Sequence, residues 1–194
     1  MPHAHPIDRP PPAAGDARAP RSSRGRVPRF ILVMALLMGG FYAFYYAPAS
    51  PESFNGRFIR GYLSLYAQAA GGVLRTAGFQ AAVTGQSISG DFSVTIIKGC
   101  DAMEPKALFI AAVLAFPAPW RRKLAGMIAG LLALIAINLF RIVSLYWIGA
   151  KAPAWFDLAH LEVWQSILVL VSVALWVLWA LWATRRPKAV HAAN

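Results

Sequence analysis

RFIRGYLSLYAQAAGGVLRTAGF, residues 57–79, is the stretch on which the fold of this chain turns. By hydropathy it competes for a place among the membrane spans, yet Arg60 and Arg75 stand inside it. Spacing resolves the ambiguity. Arg57, Arg60, Ser64, Gln68, Gly71 and Arg75 recur at steps of three or four, and Phe58, Tyr62, Leu65, Tyr66, Ala69, Val73 and Ala77 fill the other side. That is the pattern of an amphipathic helix lying in the membrane interface. The competing reading is a span whose polar face packs inside a helix bundle.

The flanking sequence supplies the membrane. Of 194 residues, 58% are hydrophobic, against about 45–50% in soluble domains. Upstream, Phe30 to Tyr46 is an uncharged apolar run of 17 residues, at the lower limit for a spanning helix. Its basic flank and the Ala47-Pro48-Ala49 that follows also match a signal peptide, but the spans further on favour a retained anchor. Residues 1–29 are rich in Pro, Ala and Arg and read as a disordered cytoplasmic tail; His3 and His5 lie there.

Downstream, Val83, Thr84, Ile88, Phe92, Val94, Thr95, Ile96 and Ile97 are β-formers punctuated by Gly85 and Gly90. They predict a short β-hairpin or two short strands over 81–98. Three more apolar runs follow, about Ala102 to Pro117, Leu124 to Ile148 and Ala159 to Ala183. Gly126-x-x-x-Gly130 offers a close-packing surface, for a dimer or within the bundle. Trp164 at one end of the last run and Trp176, Trp179 and Trp182 at the other suit interfacial belts. Residues 185–194 form a second basic cytoplasmic tail. The expected fold class is an all-α integral membrane protein. One domain, 30–184, carries about four transmembrane helices, an outer amphipathic helix and the hairpin.

Charge sets the topology. The net charge of +11 is concentrated beside the apolar runs, which argues for the positive-inside rule and against nucleic acid. With four spans, the cytoplasmic segments 1–29, 118–123 and 184–194 hold six arginines, then Arg121, Arg122 and Lys123, then Arg185, Arg186 and Lys188. Only Asp8 and Asp16 oppose them. If residues 57–79 also crossed, one of these basic segments would face outward. On the four-span reading Cys100 opens the second span and His160 the fourth, both on the outer side. Arg141 lies seven residues before Ile148, or roughly 10 Å below that boundary at 1.5 Å per residue.

These three residue types suggest chemistry. Cys100 is the only cysteine, so it forms neither an internal disulfide nor a cysteine metal cluster. A free cysteine is ordinarily a small buried hydrophobe. Here it follows Gly99, while Asp101 and Glu104 have capping-box spacing and Pro105 suits a first helical turn. A helix N-terminus at Cys100 would favour thiolate. A charge inside a span costs ~2.5–3.5 kcal/mol on insertion scales, so Arg141 is expected to face a polar cavity. Asn138 and Ser144 share its face and are candidate substrate contacts. The plainer alternative pairs Arg141 with Glu104.

His160 is the only histidine outside the terminal tails. It falls three residues after Asp157, which reads as an N-cap or as a group orienting the ring. Glu104 and Lys106 are expected to pair locally, and Glu162 to be a solvated flank. Cysteine, histidine and a cation suit thiol acyl transfer: Cys100 as nucleophile, His160 as general acid and base, and Arg141 stabilising thiolate or oxyanion. One Cys and one His leave too few ligands for a metal site. No Walker loop, HExxH or GxSxG motif is present, and no cofactor is expected. The alternatives from other classes are a non-enzymatic membrane scaffold or assembly subunit, with Arg141 pairing a partner helix, and a small transporter subunit.

Several motifs together carry a family resemblance. They are Gly99-Cys100 with its acidic turn, Phe116-Pro117, Arg121-Arg122-Lys123, Asn138-Leu139-Phe140-Arg141-Ile142 and Phe156-Asp157-x-x-His160. Over about residues 30–183 the chain resembles the exosortase/archaeosortase family, and from Lys98 to Trp164 it is most similar to the exosortase H branch. Asp101-Ala102 departs from the Ser-Gly or Asn-Gly that often follows the cysteine there. The resemblance implies a cysteine transpeptidase or protease of the bacterial inner membrane, with Cys100, Arg141 and His160 as its site on the outer, periplasmic side. It implies exported protein substrates that end in a short motif, a hydrophobic span and a basic tail, with transfer to a surface acceptor. Membrane lipid is the other expected partner.

Overall fold

A computed structural model of the chain describes residues 26–48, 50 and 52–185. The expectations for most of residues 1–29 and for 186–194, His3 and His5 included, lie outside the described residues. The elements in order are α1 (Arg26–Tyr45), α2 (Phe54–Thr76), β1 (Ala81–Thr84), β2 (Ser87–Gly90), β3 (Val94–Thr95), α3 (Met103–Ala115), α4 (Trp120–Lys151) and α5 (Trp164–Thr184). A 3-10 turn, Pro153–Trp155, and a π-helical turn, Leu158–Val163, join α4 to α5.

Among the described residues, three helical stretches are long and apolar enough to cross a membrane: Val27–Tyr45, Trp120–Lys151 and Pro153–Thr184. The expected span at Ala102 to Pro117 is the exception. Its helix, α3, has only 13 residues, about 20 Å of rise against ~30 Å of hydrocarbon. Pro117 and Pro119 stop it, since neither can continue a helix. Even so, α3 runs between the two ends of the bundle. At one end Phe116 packs on Trp176 and Trp179, and Phe30 at the start of α1 packs on Trp176. At the other end Tyr45 and Tyr46 reach Asp101 and Glu104.

The basic cluster at 121–123 is the first turn of α4 rather than a loop. Cations there oppose the helix's own dipole, but they serve its neighbours. Arg122 donates to the carbonyls of Ala183 and Arg185 at the end of α5, and Lys123 donates to Leu114 O near the end of α3. Helix C-termini expose such carbonyls and favour positive charge. The two glycines of Gly126-x-x-x-Gly130 pack inside the bundle. A Cβ on Gly126 would meet Trp179 at 2.0 Å and one on Gly130 would meet Phe109 at 2.1 Å. Of the two readings of that motif, internal packing is the one observed.

α2 is amphipathic, but its buried stripe is not the expected one. Ile59, Leu63, Tyr66, Ala67, Ala70, Gly71 and Leu74 are buried, whereas Phe58, Leu65 and Val73 are exposed. The helix has a protein-facing stripe as well as an outward apolar flank, so a two-sided reading merged them. Gly71, assigned to the polar side, lies against Val83. The expected hairpin is a three-stranded antiparallel meander, β1-β2-β3. Gly85, at φ +59°, allows the tight β1–β2 turn. The end of α1, the meander, α2 and α4 share a core of Tyr45, Leu74, Ile88, Ile96, Ile142 and Tyr146 among others. This core holds the segment that follows β3, and Cys100 ends that segment.

Candidate active site

Three separate elements bring the candidate residues together. Cys100 closes a turn in which its N–H donates to Ile97 O at 3.0 Å, with Gly99 at φ +91°. A positive φ is cheap only for glycine, so Gly99 is what lets the chain reverse here. Cys100 Sγ then lies 3.6 Å from His160 Nε2, and Arg141 Nη1 lies 3.5 Å from Cys100 O. With Val94, Thr95, Ile96, Ile142 and Leu145 they line a cavity of about 20 Å³, room for about one water.

The helix does not begin where the capping-box spacing put it. α3 starts at Met103, after Ala102 in the left-handed region at φ +53°. Glu104 does not reach back; it accepts from Tyr46 Oη at 2.6 Å. Asp101 caps instead by taking the Met103 N–H on Oδ1 at 3.2 Å. Cys100 is therefore upstream of the first turn and gains little from the dipole. Burial pushes its thiol above the ordinary value, Arg141 and the backbone at Ile97 pull it down, and Asp101 adds to the rise. The expected low-pKa thiolate is not the resting state: desolvation outweighs the cation.

Arg141 is 2% exposed. Its Nε has no hydrogen-bond partner among the described residues, and Glu104 is engaged elsewhere. A guanidinium with an unused donor in a closed cleft is poised for an acceptor that arrives with a ligand. Asn138 is fully buried and its amide makes no hydrogen bond among the described residues, with the Tyr66 hydroxyl as a polar neighbour. Ser144 spends its hydroxyl on Arg141 O at 2.8 Å. That bond holds the helix rather than facing a ligand.

His160 sits in the π-helical turn, a distortion frequent at functional sites. Among the described residues, Asp157 makes no side-chain cap and the buried His160 Nδ1 has no partner. The ring is positioned by stacking on Phe156, at 5.6 Å between centroids and 5° between planes. Phe156 in turn packs on Phe92, which packs on Tyr146. An aromatic chain thus ties His160 to the meander, and of the two readings of Asp157 neither a cap nor a hydrogen bond to the ring is seen among the described residues.

A second polar cluster lies behind the cysteine, and the sequence reading missed it. Asp101 is fully buried and Lys106 is 4% exposed. Lys106 Nζ donates to Tyr62 Oη at 2.6 Å, Tyr66 Oη at 2.8 Å and Asp101 O at 2.6 Å. Tyr45 Oη donates to Asp101 Oδ2, and Lys98 Nζ donates to Tyr45 O at 2.9 Å. The expected Glu104–Lys106 pair does not form. One signal was available: Lys106, like Arg141, is a charge inside an apolar run, where it is costly without polar partners.

Among the described residues no group of three or more His, Cys, Asp or Glu could hold a metal ion. No curated protein and no solved structure matches the chain. A family model described as transmembrane exosortase (Exosortase_EpsH) matches residues 28–179.

Proposed function

Since the chain belongs to the transmembrane exosortase family and is a multi-pass membrane protein, we propose that it is a cysteine transpeptidase that cleaves C-terminal sorting tails from exported proteins. The observation that carries this reading is the 3.6 Å approach of Cys100 Sγ to His160 Nε2, with Arg141 beside them. Nucleophile and base within reach of each other, next to a cation with a spare donor, are the parts that acyl transfer needs.

In this mechanism His160 Nε2 takes the Cys100 proton as Sγ bonds to the scissile carbonyl carbon. Negative charge develops on the carbonyl oxygen, where Arg141 donates. The C–N bond then breaks, the proton on His160 passes to the leaving amine, and a thioester on Cys100 remains. Water or an acceptor amine, deprotonated by His160, attacks the thioester and restores the thiol. The raised resting thiol fits this order, because thiolate forms as substrate arrives rather than standing exposed to oxidation.

The fourth crossing is assigned to α3, extended by the segments on either side of it. That places Cys100 and His160 on the outer face of the inner membrane and the basic ends of α4 and α5 in the cytoplasm. The substrate's hydrophobic tail would lie in the same bilayer, with its basic end on the cytoplasmic side.

The deciding experiment replaces Cys100 with Ala and follows tail removal from a co-expressed exported substrate. Full-length substrate should accumulate in the membrane while the variant protein inserts normally. Undiminished processing at matched abundance would leave a non-enzymatic scaffold as the better account.

A further inference from the structure

The cavity around Cys100 is too small for a peptide, so a substrate must lie along its rim. One wall of that rim is β3. The three-stranded sheet has two edges. The β1 edge is taken by α2: Arg75 Nη1 donates to Ala81 O at 3.0 Å and Val83 lies against Gly71. The β3 edge is different. Ser87 faces Thr95 and Ile88 faces Val94, and Ile96 N–H donates to Gln86 O at 3.0 Å.

In an antiparallel ladder, hydrogen-bonded pairs alternate with non-bonded ones. The Gln86–Ile96 bond therefore turns the backbone of Val94 and Ile96 toward β2 and that of Thr95 away from it. Among the described residues, no hydrogen bond uses Thr95 N–H, Thr95 C=O or Ile97 N–H. Thr95 is exposed, and its side chain meets Ser87 Oγ at 2.9 Å on the outer face of the sheet.

We infer that the free edge of β3 is the substrate-docking strand. An extended peptide adds to it as a fourth strand, giving a hydrogen bond to Thr95 C=O and receiving one from Thr95 N–H. The scissile carbonyl is thereby carried along the rim to Cys100, five residues further on in the chain. An extended peptide that leaves water for this rim must pair its N–H and C=O groups, because leaving them unpaired is costly. Strand addition satisfies them and reads main chain rather than side chains. This inference rests on Cys100 being the nucleophile proposed above.

Two alkylating probes test it on the full-length protein in nanodiscs. One is acetyl-tetra-alanyl chloromethyl ketone, a sequence-neutral extended peptide; the other is iodoacetamide, which has no strand to add. Cys100 is the only cysteine, so adduct mapped to the Cys100 peptide, and so kept apart from alkylation of the neighbouring His160, reports one site. Thr95→Pro removes the outward N–H and costs no ladder bond, as proline is tolerated on an edge strand. It should slow the peptide reagent about tenfold, the worth of one or two main-chain hydrogen bonds, and leave iodoacetamide unchanged. Backbone N-methylation of the peptide reagent should do the same to the wild-type protein, which removes any concern over folding of the variant. Thr95→Val keeps the main-chain N–H, so it should slow the peptide reagent far less than Thr95→Pro does. Equal peptide rates for wild type and Thr95→Pro, with N-methylation also without effect, would overturn the docking edge and leave the enzyme reading intact. If neither reagent modifies Cys100, the enzyme reading falls and the docking edge falls with it.

Discussion

Cys100 Sγ and His160 Nε2 are 3.6 Å apart across 60 residues of chain, and it is Phe156, not Asp157, that sets the angle of the imidazole. In many nucleophile–base pairs a carboxylate holds the base and stabilises its cation. Here the ring lies flat on an apolar neighbour. The base is oriented, but its cation receives no hydrogen bond at Nδ1 from the described residues.

That arrangement separates the roles of neighbouring residues. His160→Ala should reduce tail processing by 10²–10⁴, about the worth of a general acid–base group. Phe156→Ala should lower kcat more than it raises KM, because it releases the ring without touching substrate. Asp157→Asn should stay within about threefold of wild type, since its side chain makes no cap to lose. Steady-state kinetics on a tailed substrate in nanodiscs would check all three. A loss with Asp157→Asn as large as that with His160→Ala would mean that the carboxylate engages the ring during turnover.

The thiol should titrate above its ordinary value. Burial raises it and Arg141 partly offsets the rise. With the thiol held above its ordinary value, iodoacetamide alkylation should accelerate as pH climbs, with a midpoint above that of an ordinary cysteine. Arg141→Gln removes a lowering influence, so the midpoint should move further up and the rate at pH 7 should fall. The pH profile of adduct formation reads both. A midpoint that drops in Arg141→Gln would contradict the assigned effect of the guanidinium.

Lys106 offers a stability test. It satisfies three acceptors at once, and Lys106→Ala leaves the Tyr62 and Tyr66 hydroxyls and Asp101 O to find others. Each buried orphan costs about 1–3 kcal/mol, so the melting temperature in detergent should fall clearly. A triple variant, Lys106→Met with Tyr62→Phe and Tyr66→Phe, removes two of the acceptors together with the donor. It should recover part of the loss, as expected when polar partners are removed together. No recovery would indicate that the cluster acts by packing rather than by polar satisfaction.

Topology is checked by reporter fusions. Fusions after Tyr46 and at Ala152 should report the outer side, and those at Trp120 and after Arg186 the cytoplasm. The informative pair flanks α3, because 13 helical residues alone do not span the hydrocarbon. A cytoplasmic signal at Ala152 would separate Cys100 and His160 from the exported substrate.

Residue type and spacing alone identified most of the membrane architecture. Long uncharged runs and basic flanks located α1, α4 and α5, because transfer into lipid depends on local composition more than on partners. The same logic singled out Cys100, Arg141 and His160, since a lone thiol, an intramembrane charge and an interfacial imidazole are each conspicuous locally. It did not reveal what surrounds them. The Tyr45, Tyr62 and Tyr66 hydroxyls that meet Asp101 and Lys106 come from α1 and α2, and nothing in the sequence near Lys106 announces them. The raised thiol of Cys100 and the stacking of His160 on Phe156 likewise depend on burial and ring orientation. α2 was read as two-sided because helical periodicity separates polar from apolar, whereas only packing separates apolar against protein from apolar against lipid. Local chemistry is written in residue order; desolvation and hydrogen-bond satisfaction depend on which distant groups the fold brings within a few ångströms, and so the tertiary structure alone decided them.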